Sequence, residues 1–289
     1  MSAREEGPVG VILYPKPAGV TSHDCVARVR RAQPRGTKVG HAGTLDPFAT
    51  GLLLVLVGQM TRAQRWLMGL PKAYRTVAKL GWRSDTGDRD GTLEQTGSVP
   101  GDPRIATGDL MQRPPAYSAV RVGGERLYEK ARRGEAIEGT ARPVTVHRAE
   151  RLWHEGDRAA FEIECSSGTY VRQLVADLGD AYCEELERTA IGPFSLADAD
   201  PERIVTPNAA LAFMPEHELD EREASVVIHG VRVPLGADAV KDEPSSADVP
   251  SGSSDTSAEA AVRLTHSGRL LAIAEPRGRE LQPVVVFSP

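Results

Sequence analysis

The sequence predicts an α+β protein: a mixed, largely antiparallel sheet with flanking helices, followed by a small C-terminal β-domain. Three observations lead there. Strand-like and helix-like segments interleave irregularly through the first 210 residues, without the regular βα alternation of a parallel fold. Short strand-like pieces punctuated by Gly and Pro dominate the last 70 residues. Of the 289 residues, 40% are hydrophobic and 26% charged, which fits globular packing and argues against rods or wholesale disorder.

The elements follow in order. Val11–Leu13 reads as a strand, and Pro15–Gly19 as a turn. Thr21 with Asp24 forms a capping box that opens a helix running to about Ala32. On that helix Arg28, Arg31 and Arg35 are spaced for one exposed face, the last near or past its end. Ala73–Trp82 alternates, with Tyr74, Thr76, Ala78 and Leu80 on one side and Arg75, Val77 and Lys79 on the other. Phe161, Ile163 and Cys165 form the inward face of a second strand. After the turn Ser166–Gly168, a helix carries Val171, Leu174, Val175 and Leu178 as its apolar stripe, with Gly179 as C-cap. Pro201–Pro215 reads as a linker, and Ala224–Val233, Ala261–Leu264, Leu270–Ala274 and Pro283–Phe287 as strands of the second domain. The boundaries expected are 1–212 and 218–289. Within the second lies 237–260, with six Ser, six acids, one Lys and no aromatic residue. Such a segment buries too little apolar surface to offset the entropy of ordering, so a disordered acidic loop is expected.

Charge is uneven. The chain carries a formal −5, yet Cys25–Arg83 holds eleven Lys and Arg against a single acid, Asp46. That stretch suits a polyanion such as a phosphate backbone, or else a solvated face whose acids lie elsewhere in sequence. The longest apolar run, Gly51–Gly58, is too short to cross a bilayer. Three widely spaced cysteines and an acidic N-terminus with no signal-like apolar core lead to a cytoplasmic location as the expectation.

The densest candidate for chemistry is Gly40–Gly51, GHAGTLDPFATG. Pro47 keeps Asp46 out of the helical region, so its carboxylate is presented from an extended or turn conformation. A carboxylate among cations stays ionised, as a nucleophile must. A lone Asp-Pro is more often a plain turn; the basic surroundings and the apolar run Leu52–Val57 just behind it weaken that reading. Tyr74 and Arg172 are the next candidates, each also readable as an ordinary strand aromatic and a surface charge. Phosphate-loop, dinucleotide, zinc-protease and serine-elbow motifs are not found, and the seven histidines lack ligand spacing. Neither a metal nor an organic cofactor is expected.

Six segments together resemble one family. Tyr14–Asp24, Gly40–Leu53, Ala73–Gly91, Pro114–Val120, Ser166–Gly179 and Leu186–Phe194 are similar, in order, to the motifs of the bacterial tRNA pseudouridine-55 synthases, the TruB family. The resemblance implies a pseudouridine synthase catalytic core and a PUA-like RNA-binding domain. It implies that Asp46 is the nucleophile, Tyr74 the active-site tyrosine and Arg172 the arginine paired with Asp46. His41, Lys16, Pro17, Tyr170 and Leu186 then form the substrate-binding set. The implied reaction is isomerisation of a flipped-out T-loop uridine of tRNA, needing no cofactor, membrane or obligatory protein partner, by a monomer. Two departures stand out. Tyr14-Pro15 replaces a usual Leu-Asp, and Glu94–Gly108 is shorter than usual, so a helix there is expected to shrink to a turn. Other readings are a non-catalytic RNA-folding module, which loss of Asp46 would have signalled, and a relative needing guide RNA and protein partners, against which the compact motif set argues.

Overall fold

The computed structural model describes residues 7–115, 121–122, 125–126, 133, 139–235 and 261–287, so the acidic segment 237–260 lies outside the described residues. The strands are β1 (Gly10–Lys16), β2 (Val39–His41), β3 (Thr50–Val57), β4 (Lys72–Leu80), β5 (Trp82–Ser84), β6 (Leu93–Gln95), β7 (Gly108–Gln112), β8 (Arg121–Val122), β9 (Glu125–Arg126), β10 (Arg142–Glu155), β11 (Arg158–Cys165), β12 (Ala181–Ile191), β13 (Phe194–Ser195), β14 (Ile204–Val205), β15 (Glu216–Glu218), β16 (Val233–Pro234), β17 (Val262–His266), β18 (Arg269–Arg277) and β19 (Glu280–Val286). The helices are α1 (Ser22–Ala32), α2 (Gln64–Gly69), α3 (Val171–Ala176), α4 (Pro207–Ala210) and α5 (Glu221–Val227).

The main sheet runs β14-β1-β3-β12-β4-β11-β10-β7, with β2 on β3 and β13 on β12. Every pair in it is antiparallel except β12 with β3. The unbroken apolar run of β3 has a simple cause: the strand is covered on both faces. Leu52, Leu54 and Leu56 join Met60, Trp66 and Leu67 on one side. Leu53, Val55 and Val57 meet Cys25, Val26 and Val29 of α1 on the other. The α1 capping box forms as expected, with Thr21 and Asp24 each bonding the other's backbone N–H. In β4 the alternation holds: Tyr74, Thr76, Ala78 and Leu80 are buried, and Arg75 is exposed. No helix lies between Glu94 and Gly108.

The second sheet runs β15-β17-β18-β19-β16. Leu270, Ile273, Val285 and Phe287 of this sheet share one apolar cluster with Val11, Leu13, Trp66 and Leu67. The two sheets are therefore joined by a dry seam.

Three expectations need correction. Ala224–Val233 is not a strand: its first half lies in α5, and only Val233 enters β16. Asp220 and Glu223 form a capping box that starts the helix, Ala224 and Val227 turn inward at a three-residue spacing, and Gly230 at φ +78° follows its end. Pro201–Pro215 is not a plain linker, since β14 pairs with β1 and Ala210, Leu211 and Met214 are buried in the shared cluster. The helix after Ser166–Gly168 stops at Ala176 with Asp177 as its cap, ahead of Leu178 and Gly179.

Candidate active site

The chain between β2 and β3 carries Asp46, and buried donors hold it from three directions. The Ser22 hydroxyl, at the start of α1, donates to the Leu45 carbonyl at 3.1 Å and accepts from the Leu45 N–H at 2.9 Å. Lys16, 2% exposed, donates to the carbonyls of Pro17 (2.9 Å), Val20 (2.8 Å) and Pro47 (3.2 Å). Arg188, 1% exposed on β12, donates to the carbonyls of Gly43 (3.1 Å), Thr44 (3.4 Å) and Leu52 (2.7 Å). Gly51 allows the last approach: its φ is +107°, and a Cβ there would stand 2.3 Å from the Arg188 carbonyl oxygen.

So fixed, Asp46 meets Arg172. The guanidinium Nε lies 2.8 Å from Asp46 Oδ2, and Nη1 lies 3.0 Å from Asp88 Oδ2 and donates to the Thr86 carbonyl at 2.7 Å. Arg172 sits in the first turn of α3 and is buried, because Val171, Leu174 and Val175 seat that helix on the β4–β11–β12 core. Asp88 is held in turn by the Thr86 hydroxyl at 2.7 Å and the Asp90 N–H at 3.1 Å. Tyr74 projects from β4, between Ile163 of β11 and Arg188 of β12 in register.

Electrostatics follow from this packing. Burial pushes the Asp46 carboxyl above its ordinary value; Arg172 pulls it down, and Asp88 pushes it up again. A single guanidinium shared by two carboxylates neutralises each incompletely. Desolvation therefore outweighs the surrounding cations in setting the direction of the shift. Burial also raises Tyr74, with Arg188 opposing, so the phenol keeps its proton at neutral pH. Lys16 and His41 are lowered, in both cases chiefly by burial.

The remaining candidates are distributed around this centre. His41 ends β2; its carbonyl accepts from Gln64 Nε2 at 2.8 Å, and its ring stands edge-on to His23 at 5.9 Å. Pro17 is exposed and offers its carbonyl to Lys16. The Lys16 ammonium is turned inward to carbonyls, so it braces the loop rather than facing solvent. Tyr170 caps α3 and is fixed by Gln112, which donates to its carbonyl at 3.0 Å and accepts from its N–H at 2.7 Å. Leu186 is buried on β12 opposite Thr76. A cavity of about 520 Å³ is lined by Phe48, Thr76, Phe161, Leu186, Arg89 and Trp153 among others. Asp46, Tyr74 and Arg172 are not on its wall, but Phe48 and Leu186 share an apolar cluster with Tyr74.

Sequence reasoning missed Asp88 and Arg188. Each had a signal. Asp88 sits in Ser84–Gly91, whose alternation of Gly and short polar residues demands a tight, side-chain-bonded turn. Arg188 stands two residues beyond Leu186 on one strand, so it shares an inward face, where a charge needs a reason.

A partly buried carboxylate ion-paired to a buried arginine, beside a buried tyrosine on an interior strand of a mixed sheet, fits an enzyme of the pseudouridine synthase fold. The comparisons agree. A family model described as TruB family pseudouridylate synthase, N-terminal domain, matches residues 30–171. A tRNA pseudouridine synthase B from Arthrobacter sp. (strain FB24) is 36% identical, over 97% of both chains. One from Thermobifida fusca (strain YX) is 39% identical, over 96% of this chain and 98% of that one. Among solved structures, a chain from a Cbf5–Nop10–Gar1 complex superposes with TM-score 0.67 at 23% identity, covering 97% of this chain and 85% of that one. The chain belongs to the TruB family of pseudouridine synthases, and its activity is that of an isomerase.

Proposed function

We propose that this chain converts uridine 55 in the T-loop of tRNA to pseudouridine, acting in the cytoplasm as a monomer without a cofactor. What carries the reading is the Arg172–Asp46 ion pair beside Tyr74, in a chain alignable over nearly its whole length with relatives called tRNA pseudouridine synthase B.

The target base lies inside a folded loop and must be flipped out to reach a side chain of the enzyme. Asp46 then acts as nucleophile on the nucleoside, and Arg172 keeps it ionised and aimed. The N1–C1′ bond breaks, the uracil turns, and C5 bonds to C1′. Tyr74 stacks on the base and, in its ionised form, takes the C5 proton in the last step. Leu186 and Phe48 supply the apolar wall against the base. The exposed Arg28, Arg31 and Arg35 serve phosphates, which set register rather than read sequence. The second sheet, as a PUA-like domain, extends the RNA contact.

The test is to map pseudouridine in an unmodified tRNA transcript incubated with the pure chain. Pseudouridine at position 55 alone is the expected result. Product elsewhere, or only after a guide RNA and protein partners are added, overturns the assignment.

A further inference from the structure

Arg188 is an anomaly within its own site. It is among the most deeply buried large side chains of the described residues, and no carboxylate is within ion-pair distance of it among them. Arg172, buried to the same degree, has two. A guanidinium taken out of water without a counter-charge is destabilising by several kcal/mol in general, so its retention calls for a role. Its bonds show what it touches. Three carbonyls, from Gly43, Thr44 and Leu52, bracket Asp46 on both sides along the chain, and Arg188 is the cross-strand partner of Tyr74 between β12 and β4, where its charge opposes the burial that raises the phenol.

Resting on the roles proposed above for Asp46 and Tyr74, we propose that Arg188 is a positioning residue. It ties both ends of the nucleophile segment into one frame beside Tyr74, and it supplies the cation against which negative charge on the Tyr74 oxygen forms. The step served is the last one: the C5–H bond breaks, its electron pair restores the ring, and the proton passes to the Tyr74 oxygen. A phenolate in a dry site needs a neighbouring cation. The other groups that act on Tyr74 do not help: Cys165 on β11 and the Asp46 carboxylate both disfavour the phenolate. Lys72, at the start of β4, is lowered to about 8 chiefly by burial, with Arg188 adding to the push, and it does not act on Tyr74. Among the described residues Arg188 is the cation that favours the Tyr74 phenolate. A lysine in its place would keep the charge but not the planar fork that reaches several acceptors at once.

The experiment uses the full chain with 3,5-difluorotyrosine in place of Tyr74, a reporter whose phenol ionises at milder pH and whose fluorine signal follows ionisation without turnover. Arg188→Met should move that titration upward by at least one pH unit. With the natural tyrosine, it should lower the single-turnover rate on tRNA at least tenfold at pH 7. The deficit should narrow as pH rises, while tRNA affinity stays within about threefold of the parent. If Arg188→Met does not fold, Arg188→Lys serves: the rate should still fall at least tenfold with affinity kept. An unmoved reporter titration in Arg188→Met, or a rate loss equal at every pH, overturns the proposal and leaves Arg188 a purely structural clamp. An unchanged rate in Arg188→Lys overturns it as well. The reporter titration needs no catalysis, so it stands apart from the assignment of Asp46, which fails only if Asp46→Asn stays active.

Discussion

The region around Asp46 and the seam between the two sheets are both buried, yet they are built from opposite materials. Around Asp46, Lys16, Arg172 and Arg188 are all 3% exposed or less, and they meet backbone carbonyls and two carboxylates. In the seam, Leu67, Ile273, Val285 and Phe287 pack against Trp66, and charge enters only from the rim, where half-exposed Arg65 stacks over the Trp66 ring and reaches Glu275. Apolar burial contributes about 25 cal/mol per Å² without demanding particular geometry. Buried ions contribute little net stability but fix direction, because each unmet partner is costly. The seam holds the molecule together; the ionic region holds three side chains in place.

Substitutions can break that contrast, and the largest effect is expected in the ionic region. Arg172→Met leaves Asp46 and Asp88 facing each other unpaired, with a stability loss of about 3–5 kcal/mol and pseudouridine formation below detection. Asp46, raised by burial, then loses the downward pull of Arg172 and favours protonation, so thermal melts should show a smaller deficit at pH 5 than at pH 8. An equal deficit at both values means that the pair is not electrostatically coupled. Ile273→Ala in the seam should cost a similar amount, about 2–5 kcal/mol by cavity formation. Turnover per folded molecule at a permissive temperature should nevertheless stay near parental, and a collapse of turnover would make the seam part of the catalytic frame.

Asp88→Asn sharpens the contrast from inside the ionic region. In the proposed mechanism Asp46 must be ionised to attack, so the burial that raises its carboxyl also moves the acid side of the activity profile upward. Removing the Asp88 charge takes away one upward push, so the acid limb should shift to lower pH even as turnover drops. A shift to higher pH contradicts the shared-guanidinium account. The smallest effect is expected at the rim: Arg65→Ala removes a half-exposed partner of Glu275, which Arg277 still meets, and a stacking contact on Trp66, together worth about 1 kcal/mol. Its melting midpoint should match the parent within about 3 °C.

Much of this was legible in the sequence, for physical reasons that vary by residue. The alternation in Lys72–Leu80 and the Thr21 capping box are local signals, and both formed as read. Asp46 stood out because it is the lone acid in a basic stretch. The Asp46–Arg172 contact, 126 positions apart in sequence, came from family resemblance, since no local pattern encodes a pair closed by tertiary packing. Arg188 escaped because its two-residue spacing from Leu186 is the whole of the regular alternation between two bulges in β12, too short a run to mark a charged residue as inward. Ala224–Val233 misled because a short apolar run flanked by Gly satisfies a strand pattern as well as a helix, and the deciding capping residues, Asp220 and Glu223, lie upstream or at its edge.

The central claim is that a partly buried, ion-paired Asp46 is the attacking group. Its most direct test is a single-turnover assay of Asp46→Asn, with enzyme in excess over an unmodified tRNA transcript and pseudouridine mapped at position 55. Asparagine keeps the size and one oxygen of the side chain but removes the negative charge that attacks and that pairs with Arg172. The account predicts tRNA affinity within about threefold of the parent and no pseudouridine even after hours. Pseudouridine formed at a rate within about tenfold of the parent would contradict it.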